Sequence, residues 1–396
     1  MQTQLPPAKS FRQYCNHQNG WSDHYGSFHV ASAYAGLAMP SRYTVNGIWQ
    51  HGVFGPWQQF SPHVLVYNAP GAPERPVFVA RQDEAELMRR SGYKQVRAIG
   101  MPILYAPEPQ VERAPGSLLV VPTHSLTGDN HADRSLFGRY ADSIKALIGH
   151  FQKITVCIHP NCRRNGLWIK EFSVPNIEIV YGAETGDANA LLRMRSLFAQ
   201  FEFVTTNEWG SHVAYALAFG TRVSIAGQPI AGDPALYARD LMWQNNAAMM
   251  ATAFSPEVAA ARRKFLERLY VPTTEGCADI TFGRWLVGAD NRVSPDEMRG
   301  IMKVMVSSQV LVDQSTSSRH DQIRRQAAEL VKAGLQGEAT QLLMKYLQSV
   351  VESKQPRLIL DTLTFVAKDL ESLDSVKAAY LREQAQKLSS RIANAA

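Results

Sequence analysis

Four short polar stretches hold the residue types that could do chemistry: His51-Gly52, His124-Ser125, His159-Pro160 and Asn207-Glu208-Trp209-Gly210-Ser211-His212. The last follows an apolar run, 201–204, that reads as a buried strand. It precedes an Ala- and Leu-rich stretch, 213–219, that reads as a short helix stopped by Gly220. A polar turn at a helix N-terminus gathers free backbone N–H groups and the positive end of the helix dipole, which suits a phosphate. Gly210, Ser211 and His212 are candidates to hold one, with Asn207 in the same turn. The competing reading is that Gly210-Ser211 only caps the helix. His159, ahead of Pro160 and after the apolar run 154–158, can add an imidazole N–H; a charged imidazolium would add more. A His-Pro turn that merely ends a strand is the alternative there.

Breaking a bond to a phosphate leaves negative charge on the leaving group, and donors must be aimed at it. The transfer also needs a base for an acceptor hydroxyl or a nucleophile. His51, in the first part of the chain, is the candidate base, because it would face the phosphate site across a cleft. His124 and Ser125 sit in the loop after the apolar run 118–121 and would face the same cleft. Their adjacency does not mark a hydrolase: neighbours on a loop point apart, and no G-x-S-x-G elbow is present. No Walker loop and no Gly-rich dinucleotide fingerprint occurs. Asp129-Asn130-His131 is too slight to assign a metal, and no cofactor is assigned. Cys15, Cys157, Cys162 and Cys277 are scattered and read as reduced, structural thiols.

The elements that position these residues read as alternating strands and helices. Strands are expected at 64–67, 76–80, 95–99, 118–121, 154–158, 177–180, 201–204 and 222–225, and helices at 82–92, 135–151, 187–199 and 213–219. Such alternation builds parallel sheets with ligands at the C-terminal strand ends. Residues 1–45 read as an irregular, His-rich wrap and 106–116 as a Pro-rich linker. From about 234 the chain turns helical, with helices at 234–243, 256–269, 296–312, 319–333, 336–351 and 376–393. The domains expected are 1–105, 117–290 and a helical region at 291–396.

At 45% hydrophobic and 19% charged residues, the composition is that of a globular soluble protein. No apolar run approaches the ~20 residues of a membrane span, and the N-terminus lacks a signal-type apolar core. The expected location is cytoplasmic, with peripheral attachment at an inner membrane left open. A net charge of +6 fits an anionic ligand or membrane surface without calling for nucleic acid, for which no motif is present.

Taken together, the two α/β halves and the four loops resemble a GT-B glycosyltransferase over roughly residues 45–235. More narrowly, they resemble bacterial enzymes that build surface polysaccharide from cytidine-nucleotide donors. One group is the CMP-sugar (Kdo- and sialic-acid-type) transferases of capsule and O-antigen assembly. The other is the CDP-glycerol glycerophosphotransferases of teichoic acid synthesis. Trp49-Gln50-His51-Gly52 resembles the His-Gly loop of the acceptor side, and the stretch 119–125 the opening strand and loop of the donor domain. Ile158-His159-Pro160 resembles the His-Pro motif, and the stretch 206–212 the helix start that meets the phosphate. Only one hydroxyl, Ser211, stands there, where such enzymes often carry two.

The resemblance implies two Rossmann-type domains facing a cleft, a C-terminal helical extension, and transfer of a nonulosonate-type sugar from a CMP-sugar donor. The implied acceptor is a glycan or lipid-linked glycan, with assembly proteins or a membrane surface as further partners. It also singles out Asp129 as a nucleophile for a retaining course, with Asp133, Glu208, Asp233 and a plain turn role for Asp129 as rivals. The other functions left open are a CDP-polyol phosphotransferase, a nucleotide-sugar 2-epimerase and a non-catalytic scaffold.

Overall fold

Apolar strand runs pair into two parallel sheets in a computed structural model of the chain. It describes residues 5–10, 24–39, 43–56, 65–66, 72–125, 133–230, 232–238, 243, 247–307, 316–332, 335–351 and 356–394. The chain adopts the expected α/β class. Helix α1 (Ser27–Tyr34) comes first, followed by β1 (Thr44–Val45), β2 (Ile48–Trp49), β3 (Pro76–Val79), α2 (Gln82–Arg90) and β4 (Gln95–Ala98). The order β2-β3-β4 is parallel throughout. Helix α1 corrects the expectation of an irregular N-terminal stretch. It is buried over most of its circumference, with Phe28 packed edge-on against Trp49 at 5.6 Å, so it shows no single apolar stripe to read. Leu65 and Val66 lie in a 3-10 turn, not a strand.

The second half runs β5 (Ala114–Val120), α3 (Ser135–Lys145), β6 (Lys153–Ile158), α4 (Pro160–Arg164), α5 (Ile169–Phe172), β7 (Ile177–Tyr181), α6 (Ala190–Gln200), β8 (Phe201–Thr206), α7 (Ser211–Ala218) and β9 (Arg222–Ile225). Its five strands are all parallel in the order β7-β6-β5-β8-β9. The central strands read as continuous apolar runs because helices cover both faces. The order reverses between β5 and β8, so the loops leaving their C-terminal ends splay apart and open a crevice.

Strand β5 starts at Ala114, inside the stretch read as a linker. Both halves belong to one compact unit, Met1–Gln309, and share a core in which Phe28, Trp49, Phe78 and Tyr105 join Leu119, Val204, Val213 and Leu217. After β9 the chain makes short helices at Pro234–Tyr237, Ala247–Ala253, Pro256–Phe265 and Ile280–Leu286 and then returns to the first half. There Met101 N–H donates to the Val287 carbonyl at 2.9 Å, and the Asn291 amide donates to the Ala80 carbonyl at 3.0 Å. The Pro295–Met305 helix buries Met298 and Met302 in the shared core and leads into β10 (Val306–Ser307), antiparallel to β1.

The second compact unit, Val310–Ala396, holds helices Thr316–Lys332, Gln336–Val351, Pro356–Leu370 and Ser375–Asn394 around its own core of Leu343, Leu347, Val366, Leu370 and Leu381. The Pro356–Leu370 helix was not among the expected ones; its proline opens the helix, where no intrahelical N–H is needed, and does not break it. Among the described residues, no helix is long and apolar enough to cross a membrane.

Candidate functional site

The loops after β5 and β8 are tied to each other by side chains. Asn207 is fully buried; its Oδ1 accepts the Thr123 N–H at 2.9 Å, and its amide donates to the Gln228 carbonyl at 3.4 Å. One residue thus joins the loops that follow β5, β8 and β9. The Thr123 hydroxyl donates to Glu208 Oε2 at 2.8 Å, and Trp168 Nε1–H donates to the Thr123 carbonyl at 2.9 Å. Ser125 is also fully buried, its Oγ accepting from the Asn165 amide at 2.9 Å and its N–H facing Cys162 Sγ at 3.2 Å. Asn207 and Ser125 therefore hold the loops in shape, with their polar atoms already engaged.

His124 is exposed and stacks on His159, ring centroids 4.6 Å apart and 23° from parallel. His159 caps α4: its Nδ1 accepts the Asn161 N–H at 3.1 Å, and Pro160 takes the first helical position. An accepting Nδ1 carries no proton, so the neutral ring holds its proton on Nε2 as a donor. Burial pushes His159 down to about 3, with His124 and Arg164 adding to the effect. The ring is neutral at physiological pH, which replaces the charged imidazolium contemplated from the sequence. Burial, with His124 behind it, likewise lowers His212 to about 3, and the His212 Nε2 is buried without a hydrogen-bond partner.

The first half meets the second at the start of α7. Gly210 precedes the helix in extended conformation, and no side chain caps it. The first N–H groups of a helix have no intrahelical acceptor, so this end presents donors. Ser211 Oγ accepts the Val53 N–H at 2.9 Å and also bonds Tyr215. That bond spans the two halves, so the Ser211 hydroxyl is structural as well as adjacent to the donors.

The Val53 loop is shaped by Gln50. Its Oε1 accepts the Ala80 N–H at 2.9 Å, and its amide donates to the Gly52 carbonyl at 3.0 Å and to Glu84 at 3.3 Å. Burial pushes the Glu84 carboxyl up, against the pull of Arg81. Gly52 adopts φ +82°, and a Cβ there would lie 3.2 Å from Ser211 Oγ. His51, next to it, is held well below the ordinary histidine range by burial, then by His24 and His124.

His124 thus acts electrostatically on His51, His159 and His212, so four of the sequence-selected histidines lie near one another. Two further residues here, His24 and Tyr25, come from the N-terminal stretch that the sequence reading took as a wrap and not as a cleft lining. His24 packs edge-on to His51 at 4.4 Å, and the Tyr25 ring lies 5.4 Å from it. Tyr25 has φ +59°, a left-handed conformation unfavourable for an aromatic residue. No motif or periodicity marks the pair; only the return of the N-terminal stretch to β2 brings them in. Asp129 lies outside the described residues. Of its rivals, Asp133 accepts from Ser135 at an exposed position, Asp233 caps the Pro234–Tyr237 helix, and Glu208 alone reaches into the loop cluster. Among the described residues, no group of three His, Cys, Asp or Glu is placed to hold a metal ion.

No family model matches the chain, and no curated protein matches it in sequence. Among solved structures it is similar to the UDP-GlcNAc 2-epimerase from Neisseria meningitidis bound to UDP-GlcNAc, at 11% identity and a TM-score of 0.33 over 70% of this chain and 75% of that one. It is similar to the wall teichoic acid polymerase TagF at 10% identity and a TM-score of 0.31, over 67% of this chain and 70% of that one. The pneumococcal O-GlcNAc transferase GtfA in complex with UDP and GlcNAc gives 11% identity and a TM-score of 0.28, covering 67% of this chain and 52% of that one. The chemistry of the site rests on its own residues.

Proposed function

We propose that this chain is a glycosyltransferase that binds a nucleotide-activated sugar in the crevice between β5 and β8 and transfers the sugar to a glycan acceptor. The observation that supports it is the uncapped start of α7 at Gly210–His212, on the loop that Asn207 ties to the β5 loop. The Nε2–H of His159 is a second neutral donor, and its neighbour His124 also acts on His212. The oxyanion for these donors is the donor phosphate, whose charge grows as the glycosidic bond breaks. The finer reading, carried by the sequence resemblance, is a CMP-activated nonulosonate as donor and a surface glycan as acceptor. His51 faces this site from the first half. A neutral imidazole can take a proton from an acceptor hydroxyl, and a bound phosphate raises its basicity by opposite-charge stabilisation of the imidazolium. Asp129 is the proposed nucleophile for a retaining course.

Melting the protein with CMP, CDP, UDP and GDP tests the donor. Cytidine nucleotides are expected to raise the midpoint, and a response to UDP alone would remove the CMP-sugar reading and favour the epimerase alternative. His159→Ala removes one charge-assisted hydrogen bond and should weaken CMP binding roughly tenfold or more. Unchanged binding and turnover in that variant would place the phosphate elsewhere.

A further inference from the structure

A second concavity lies at the opposite end of the larger sheet. Arg113 immediately precedes β5, Ala199 lies in the last turn of α6, and Phe219 follows the C-terminus of α7, so the cavity sits at the N-terminal strand ends. Helix α7, eight residues and about 12 Å long, separates it from the helix start at Ser211. Its volume is about 950 Å³. Four arginines, Arg113, Arg195, Arg284 and Arg292, line it against a single carboxylate, Glu108.

These arginines differ from others on this unit. Arg97, Arg268 and Arg299 are each paired with a carboxylate. Arg113 is spent on the end of α7, donating to the Phe219 carbonyl at 2.8 Å and to the Gly220 carbonyl. The Arg195 guanidinium carbon lies over the Phe219 ring, 3.4 Å from its centroid, and that of Arg292 over Tyr34 at 4.7 Å. A guanidinium stacked by its face keeps its in-plane N–H groups for a ligand. The side chains of these two and of Arg284 make no hydrogen bond or ion pair with a described residue. Burial lowers the Arg195 pKa first; Glu108 works against that and Arg113 adds to it, so one carboxylate offsets part of the repulsion among the four arginines. An oxyanion bound between them removes the repulsion and takes the free N–H groups in the bidentate geometry suited to phosphate.

We propose that this arginine-lined cavity is a second ligand site, for a soluble anion that carries two or more phosphate groups. It is separate from the transfer site and independent of the reading given to that site. Calorimetric titration of the full chain with inorganic triphosphate tests it. Triphosphate is expected to bind with an affinity that falls steeply as salt rises, because the contacts are charge pairs near the surface. Arg284→Gln/Arg292→Gln should weaken this binding by roughly tenfold or more, as should Arg284→Gln alone to a smaller degree. Arg90→Gln, an exposed arginine on α2, should retain it.

Native-like triphosphate binding in the double variant overturns the proposal, as does equal loss in Arg90→Gln. Sedimentation with vesicles of anionic phospholipid separates the sources of the phosphate. If the native chain ignores triphosphate yet sediments with vesicles through Arg284 and Arg292, the cavity is a lipid-headgroup site and the soluble-ligand proposal fails.

Discussion

His159 uses one ring nitrogen to start a helix and so has only the other left for chemistry. That economy sets its protonation state and has a consequence for stability. His159 and His212 are depressed from 6.5 to about 3 by burial. In the unfolded chain they take up protons below about pH 6.5, while the folded chain does not until near 3. The unfolded state therefore binds more protons between these values, and stability falls as pH drops through this window. At pH 5 each ring should cost about 1–2 kcal/mol. The midpoint of melting should fall from pH 7 to pH 5, and His212→Asn should flatten the slope; a slope unchanged in that variant would exclude His212 as a contributor. Gly52 offers a second test. At φ +82°, an alanine adds about 1–2 kcal/mol of strain, and its methyl presses on Ser211. Gly52→Ala should lower both the melting midpoint and nucleotide binding, read by the same thermal assay.

At the level of elements, α7 is the part that everything else positions. Its start bonds Val53, and the Ile280–Leu286 helix packs along it. Gly283 is the contact point: a Cβ there would sit 2.4 Å from the Ala218 nitrogen and 2.5 Å from the Leu217 carbonyl carbon, both rigid backbone atoms. Gly283→Ala should destabilise by at least the ~1–3 kcal/mol of ordinary overpacking, measured by chemical denaturation. Asn207 does the same service for the loops. Asn207→Leu leaves the part-buried Thr123 N–H without its acceptor, at a cost of about 1 kcal/mol or more, and should weaken nucleotide binding with it. The strands were legible because β5, β6 and β8 are mostly apolar or β-branched runs, such as 118–121 and 154–158, between polar loops. Helix α1 was not, because it is buried nearly all round and its residues follow no single-faced pattern.

On the scale of the whole molecule, the two α/β halves share one core, while the last four helices have their own. The sequence reading placed the start of the helical region at 291. The Pro295–Met305 helix instead belongs with the first half, where Met298 and Met302 are buried and β10 pairs with β1. A chain ending at residue 309 should therefore melt cooperatively and keep the nucleotide response of the full chain, as followed by circular dichroism with and without CMP. A chain ending at residue 290 exposes the apolar surface that Met298 and Met302 cover and should lose cooperative melting.

Sequence alone determined the alternation of strands and helices, the loops that carry His51, His124, His159 and Gly210–His212, and their place at strand C-termini. Those features are local: apolar runs, breakers and polar turns act within a few residues of one another. Tertiary structure decided what each polar atom is free to do. It set Asn207 and Ser125 as struts, fixed the proton of His159 on Nε2, brought His24 and Tyr25 to His51, and drew four arginines into one cavity. Those outcomes depend on burial and on partners distant in sequence, and neither is encoded in any single stretch of the chain.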